Sequence, residues 1–222
     1  MVAKSILSEN QKKLLKIISQ DKSICDNFYL TGGTALAEFY LYHRLSEDLD
    51  FFSENEFDSQ SISVFFKKIK KEAEIKKVEY QQSFNRNLFF LDLEDGDKIK
   101  TEFTYFPFAR IEKKTKIGNL YIDSIIDIAV NKVFTIYQKP RCRDFVDLYC
   151  ILDKYKELSL SDLVKKAQIK FDNFLDPIQL GSQYMKVSEL KDFPRMLIKI
   201  EDKIWQDFFI SEAKKLSNKI LK

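Results

Sequence analysis

Residues 27–53 read NFYLTGGTALAEFYLYHRLSEDLDFFS. Phe28 to Leu30 are expected to form a short apolar strand, followed by the pair Gly32-Gly33 and by Thr34. A helix from about Ala35 to Tyr42 comes next, then a polar turn from His43 to Glu47 and a second strand from Asp48 to Phe52. A glycine pair lets the backbone approach a ligand with no side chain in the way. Backbone N–H groups at the start of the following helix make an anion site, and Thr34 adds a hydroxyl there. Side chains alternate along a strand, so Asp48 and Asp50 share one face while Leu49 and Phe51 share the other. Two ionised neighbours on one face are costly without a cation between them. Oxygen donors of this kind suit Mg²⁺, which takes one or two carboxylates together with substrate phosphates. One segment therefore offers a phosphate cradle and a metal clamp. A lone D-x-D or Gly-Gly turn is common on protein surfaces. The order strand, GGT, helix, R-x-S-x-D-x-D is what carries the reading.

Composition bounds the rest. The chain has 222 residues, enough for one domain or two small ones, and 20 Phe with 10 Tyr imply an aromatic core. A net charge of +3 permits nucleic-acid binding without arguing for it. The three cysteines, Cys25, Cys142 and Cys150, have no metal-like spacing, and Met1 to Glu9 has no apolar leader core, so a cytoplasmic protein with reduced thiols is expected. No run is long enough to span a membrane. His43 is the single histidine, which excludes a histidine-based triad or a multi-histidine metal site.

Ser8 to Asp21 reads as an amphipathic helix, with Ser8 and Gln11 as a capping box. Asp58 or Ser59 starts a helix running to about Ala73, whose lysine-rich end (Lys67, Lys68, Lys70, Lys71) is a solvated face or a phosphate-contacting edge. Ile75–Ser83, Asn87–Leu93 and Lys98–Phe106 read as three strands, the last two joined by the turn Glu94-Asp95-Gly96-Asp97. On the third of these, Lys100, Glu102 and Thr104 share a face, and Glu102 is a candidate third carboxylate. A charged loop or short ribbon from Arg110 to Lys116 and a short strand from Ile117 to Ile122, around Gly118, follow. Asp123 caps a helix to about Lys139, closed by Pro140, and a second helix covers about Arg143 to Tyr155. Ser161 to Phe171, a segment from Pro177, and Pro194 to about Leu221, as one long helix or two pieces, complete a helical tail.

The pattern GGTALAEFYLYHRLSEDLDFF resembles the AbiEii/AbiGii family of toxin-type nucleotidyltransferases, within the DNA polymerase beta-like superfamily. The fold this implies is α+β: a polymerase beta-like nucleotidyltransferase core, with a small mixed sheet flanked by helices, in residues 1–122. A helical C-terminal domain, residues 123–222, follows. By the same resemblance Gly32, Gly33 and Thr34 are the first motif, Arg44 and Ser46 the preceding R-x-S, and Asp48 and Asp50 the paired metal carboxylates. A neighbouring strand brings a third acid in this superfamily, most often Asp. Glu102 is one methylene longer. DIAVNKVFTIYQKPRCRDFVDLYCIL resembles the second signature, which makes Lys132 a phosphate-contacting lysine and Asp144 an acid near the site, with Arg143 and Asp147 in the same pattern. The activity implied is Mg²⁺-dependent (alternatively Mn²⁺-dependent) transfer of a nucleotide from an NTP to an acceptor hydroxyl. The acceptor implied is RNA, in particular tRNA, and the setting a toxin–antitoxin or abortive-infection system with a cognate antitoxin as partner. Transfer to a protein hydroxyl and non-catalytic NTP binding are the alternatives.

Overall fold

The computed structural model describes residues 5–112 and 115–220. Of the expected 110–116 loop, residues 113 and 114 lie outside the described residues, as does Leu221 at the end of the expected last helix. The chain divides into two compact units, residues 1–40, 46–109 and 113–124 in the first, and residues 41–45, 110–112 and 125–222 in the second.

In the first unit, helix α1 (Glu9–Ile18) opens with the expected capping box: Gln11 N–H donates to Ser8 Oγ and Ser8 N–H donates to Gln11 Oε1. Asp21, read as the end of that helix, instead caps a second short helix, α2 (Lys22–Asn27). Strand β1 (Tyr29–Thr31) leads into α3 (Gly32–Leu36), which widens into a π-helical turn over Ala37–Leu41. Strand β2 (Leu49–Ser53) follows, then helix α4 (Ser59–Ile69), capped by Asp58. Strands β3 (Ile75–Ser83), β4 (Arg86–Leu93) and β5 (Lys98–Tyr105) form an antiparallel meander, and β6 (Thr115–Ile117) and β7 (Leu120–Ile122) form a hairpin. All seven described strands join one mixed sheet in the order β3-β4-β5-β2-β1-β7-β6.

The parallel pair β2–β5 sets the register that matters: Leu49 faces Thr101, Asp50 faces Glu102 and Phe51 faces Phe103. Alternation then sorts the faces. Phe51 stacks on Phe103, and Phe28, Phe66 and Phe89 close around Phe103, so this side of the sheet is an aromatic core. Asp50 and Glu102 emerge together on the other side, since in-register neighbours share a face.

The second unit is helical: α5 (Ile125–Gln138), α6 (Cys142–Lys154), α7 (Leu160–Lys170), α8 (Pro177–Met185) and α9 (Asp202–Ile220). Phe145, Tyr184 and Phe209 meet at its centre, and Phe134 stacks on Phe171. Asp127 on α5 is buried against Lys170 and accepts the backbone N–H groups of Ile111 and Glu112. One expectation changes here. The last helix starts at Asp202 rather than near Pro194, because residues 195–197 run extended against residues 43–45: Leu45 N–H donates to Arg195 C=O and Leu197 N–H to His43 C=O, each at 2.8 Å. Within the polar turn His43–Glu47, His43 and Arg44 are buried. Asp147 supplies the counter-charge that makes that burial tolerable.

Candidate active site

Gly32 has a φ of +73°, a left-handed conformation natural to glycine. A Cβ at this position would sit 2.5 Å from Asp50 Oδ2, so the missing side chain is what lets the Asp50 carboxylate lie against the turn. Asp48 immediately precedes β2 and holds Lys100 Nζ at 2.6 Å through Oδ2. Thr34 is buried. Its Oγ1 donates to the Asp48 backbone carbonyl and lies 2.9 Å from Ser46 Oγ. The threonine and serine of the motif thus lock the helix start to the base of β2. Thr34 is turned into the protein rather than toward a ligand.

Glu102 stands beside Asp50 on the sheet and is buried. Arg86 grips it with two hydrogen bonds, Nε to Oε1 at 2.7 Å and Nη2 to Oε2 at 2.6 Å, and Thr104 Oγ1 donates to Oε1 at 2.7 Å. Burial pushes the Glu102 carboxyl up, but the Arg86 and Thr104 hydrogen bonds outweigh it and hold the group below the usual range. A cleft of about 310 Å³ borders Asp48 on this side of the sheet, lined also by Gln81, Phe90, Asp92 and Lys100. Asp48 and Asp50 are the pair suited to a hard cation: two carboxylates two residues apart, one lying on a side-chain-free turn. Among the described residues no group of three acidic, histidine or cysteine side chains is gathered as a metal cage, and Glu102 is committed to Arg86.

Arg44, Lys132, Asp144 and Asp147 lie in the second unit and form a buried charge cluster. Asp147, fully enclosed on α6, accepts Arg44 Nε and Nη2 at 2.6 and 2.8 Å, lies 2.7 Å from His43 Nε2, and pairs with Lys132 Nζ at 2.7 Å. Lys132 Nζ also reaches Asp144 at 2.7 Å, and Arg141 forks onto the same carboxylate. Burial raises the Asp147 carboxyl, but Lys132 and Arg44 overcome it and hold the group well below the usual carboxylate range. Asp144 is likewise kept low, by Lys132 and Arg141 against its own burial. Arg44 spends its remaining fork on Leu45 C=O. Arg143, part of the expected pattern, is exposed. Sequence reasoning missed Arg86 and Arg141. Arg141 had a signal, three residues before Asp144 at a helix start. Arg86 had none, because its partner is set by strand register.

A mixed sheet with Asp50 against the Gly32 turn and Asp48 two residues before it fits the nucleotidyltransferase class. The comparisons agree: the family described as nucleotidyl transferase AbiEii toxin, type IV toxin–antitoxin system, matches residues 14–215. The chain belongs to this family, and it is a nucleotidyltransferase. An uncharacterized protein of Aquifex aeolicus (strain VF5) is 34% identical over 174 residues, 77% of this chain and 78% of that protein. Two Helicobacter pylori crystal structures share the fold. One is described as a nucleotidyltransferase (TM-score 0.60, 19% identity, 96% of this chain and 97% of that one). The other is JHP933 (TM-score 0.57, 20% identity, 96% and 97%). No helix among the described residues is long and apolar enough to cross a membrane.

Proposed function

We propose that the protein moves a nucleoside monophosphate from an NTP to an RNA hydroxyl, with tRNA as the acceptor class, as the cytoplasmic toxin of a toxin–antitoxin pair. The observation that carries the reading is the Asp50 carboxylate lying on the Gly32 turn, with Asp48 two residues before it and Thr34 tying the two segments together. Asp48 and Asp50 would hold Mg²⁺, or Mn²⁺ in its place. Bound there, the ion neutralises triphosphate charge and lowers the pKa of an attacking hydroxyl. The chain's own residues do the positioning. The Gly32-Gly33 turn admits phosphate oxygens close to the backbone. Thr34 fixes the spacing of the acids through the Asp48 carbonyl. The acceptor oxygen bonds to the α-phosphorus as the bond to pyrophosphate breaks, in line, so placement and charge neutralisation carry the rate. Arg44, Lys132, Asp144 and Asp147 are assigned to holding the helical unit in shape, since each cation is already matched by buried carboxylates.

The test is incubation of the protein with total tRNA, Mg²⁺ and each labelled NTP in turn, with Asp50→Asn beside it. Label entering RNA with one nucleotide, and lost in the variant, is the expected result. Label on protein would replace RNA by a protein hydroxyl as acceptor. Normal transfer by Asp50→Asn would overturn the assignment of the acids.

A further inference from the structure

Glu102 is held at both of its oxygens, whereas the Lys100 contact on Asp48 uses one. Both Glu102 oxygens are engaged by Arg86, and Thr104 adds a third donor. A two-pronged guanidinium–carboxylate contact is strong and directional, and it uses the same carboxylate edge that a cation needs. Arg86 also feels Asp48 and Asp50, whose charges add to that of Glu102 in stabilising its own. Yet the Arg86 side chain is 53% exposed while that of Glu102 is 7% exposed, so the arginine has solvent to move into and the acid does not. Arginine pairs with phosphate as well as with carboxylate, through the same planar fork.

We propose that Arg86 is a positioning residue, an exchangeable counter-ion that occupies Glu102 until an anionic substrate takes the guanidinium away. In the substrate-free protein the divalent ion then depends on Asp48 and Asp50 alone. Arrival of a phosphate-bearing substrate draws Arg86 off and opens Glu102 to the metal site. The proposal rests on the reading of Asp48 and Asp50 as the metal pair. It makes Arg86 the link between substrate binding and completion of the acid set.

The experiment is Mn²⁺ titration followed by electron paramagnetic resonance, without NTP, on the full chain. Expected are no more than about a threefold change for Glu102→Gln and a loss of about tenfold or more for Asp50→Asn, the range seen when a metal's supporting residues are removed. Arg86→Gln keeps a hydrogen-bond donor for Glu102 but removes the charge, and should tighten Mn²⁺ binding about tenfold or more. In that background Glu102→Gln should now weaken binding by about tenfold. Arg86→Lys, which keeps the charge without the fork, should fall between wild type and Arg86→Gln and serves if Arg86→Gln fails to fold. A tenfold loss from Glu102→Gln in the wild-type background would overturn the proposal, because Glu102 would already be a ligand. So would unchanged Mn²⁺ affinity in Arg86→Gln. Unchanged Mn²⁺ binding in Asp50→Asn would sink the metal pair itself and the Arg86 proposal with it, a failure distinct from the first two.

Discussion

Asp147→Asn tests the buried charge cluster most directly. The side chain keeps its shape and loses its charge. In the native protein that carboxylate carries the Arg44 fork at 2.6 and 2.8 Å, Lys132 at 2.7 Å and His43 at 2.7 Å, and it has no solvent exposure. The substitution takes the paired carboxylate from Arg44, itself buried, which still donates to the Leu45 carbonyl, and it leaves Asp144 as the carboxylate beside Lys132. Breaking a buried ion pair by removing one partner costs about 3–5 kcal/mol. For a chain of this length each kcal/mol moves the melting temperature by about 2–4 °C, so a drop of about 6–20 °C is expected. Lys132→Met is the internal comparison. It leaves Asp147 with Arg44 and Asp144 with Arg141, so no charge is stranded and the cost should be about 1–3 kcal/mol. The assay is thermal and urea unfolding followed by circular dichroism at neutral pH for both variants. A loss under about 1 kcal/mol for Asp147→Asn, or a larger loss for Lys132→Met, would refute the view that Asp147 is the keystone of the cluster.

Other expectations follow from the same geometry. Gly32→Ala meets both a left-handed backbone and the Asp50 carboxylate, whereas Gly96→Ala, at φ +90° with open space around it, meets only the backbone. Both should lose about 1–2 kcal/mol of stability, but only Gly32→Ala should also lose Mn²⁺ binding; equal Mn²⁺ affinity in the two variants would contradict the Asp50 contact. Asp144 and Asp147 have native carboxyls held below their unfolded values, so their contribution is present above about pH 4 and is lost as pH falls through the lower native range. Urea midpoints should therefore be flat from pH 7 to about pH 5 and fall below about pH 4, and in Asp147→Asn that acid-side fall should be shallower. Burial pushes the Cys142 and Cys150 thiols up to about 12, and Cys25 is raised and buried too, so a thiol reagent at pH 8 should label the cysteines only after unfolding. Fast labelling of the folded protein would show that one of these sites opens.

Much of the first unit was legible locally. The three meander strands fall within a residue or two of their expected limits, since alternation and turn residues mark them. The hairpin between β4 and β5 shows where that legibility ended. Asp95-Gly96 marks the turn, but the strands close at Leu93 and Asp97, with Gly96 in the left-handed region, rather than around a four-residue loop. That one-residue difference puts Leu88 opposite Glu102, where a symmetric four-residue turn would put Phe89. A one-residue slip exchanges the faces of a strand. The Arg86–Glu102 pair therefore could not be foreseen from spacing. The π-helical turn at 37–41 was also unmarked, and the structure offers no local residue that explains it.

The sequence by itself determined most of the order of elements, the Gly-Gly turn, the paired aspartates and the family, because these depend on contiguous residues and on local backbone preference. The tertiary structure decided which charges neutralise one another. Thr34 turns inward to Asp48, 14 residues on, Arg44 and His43 are buried because Asp147 lies more than 100 residues further along, and Glu102 is held by Arg86 across a strand register. Ion pairing falls off with distance in space and is indifferent to distance along the chain, so only the folded chain could assign these partners.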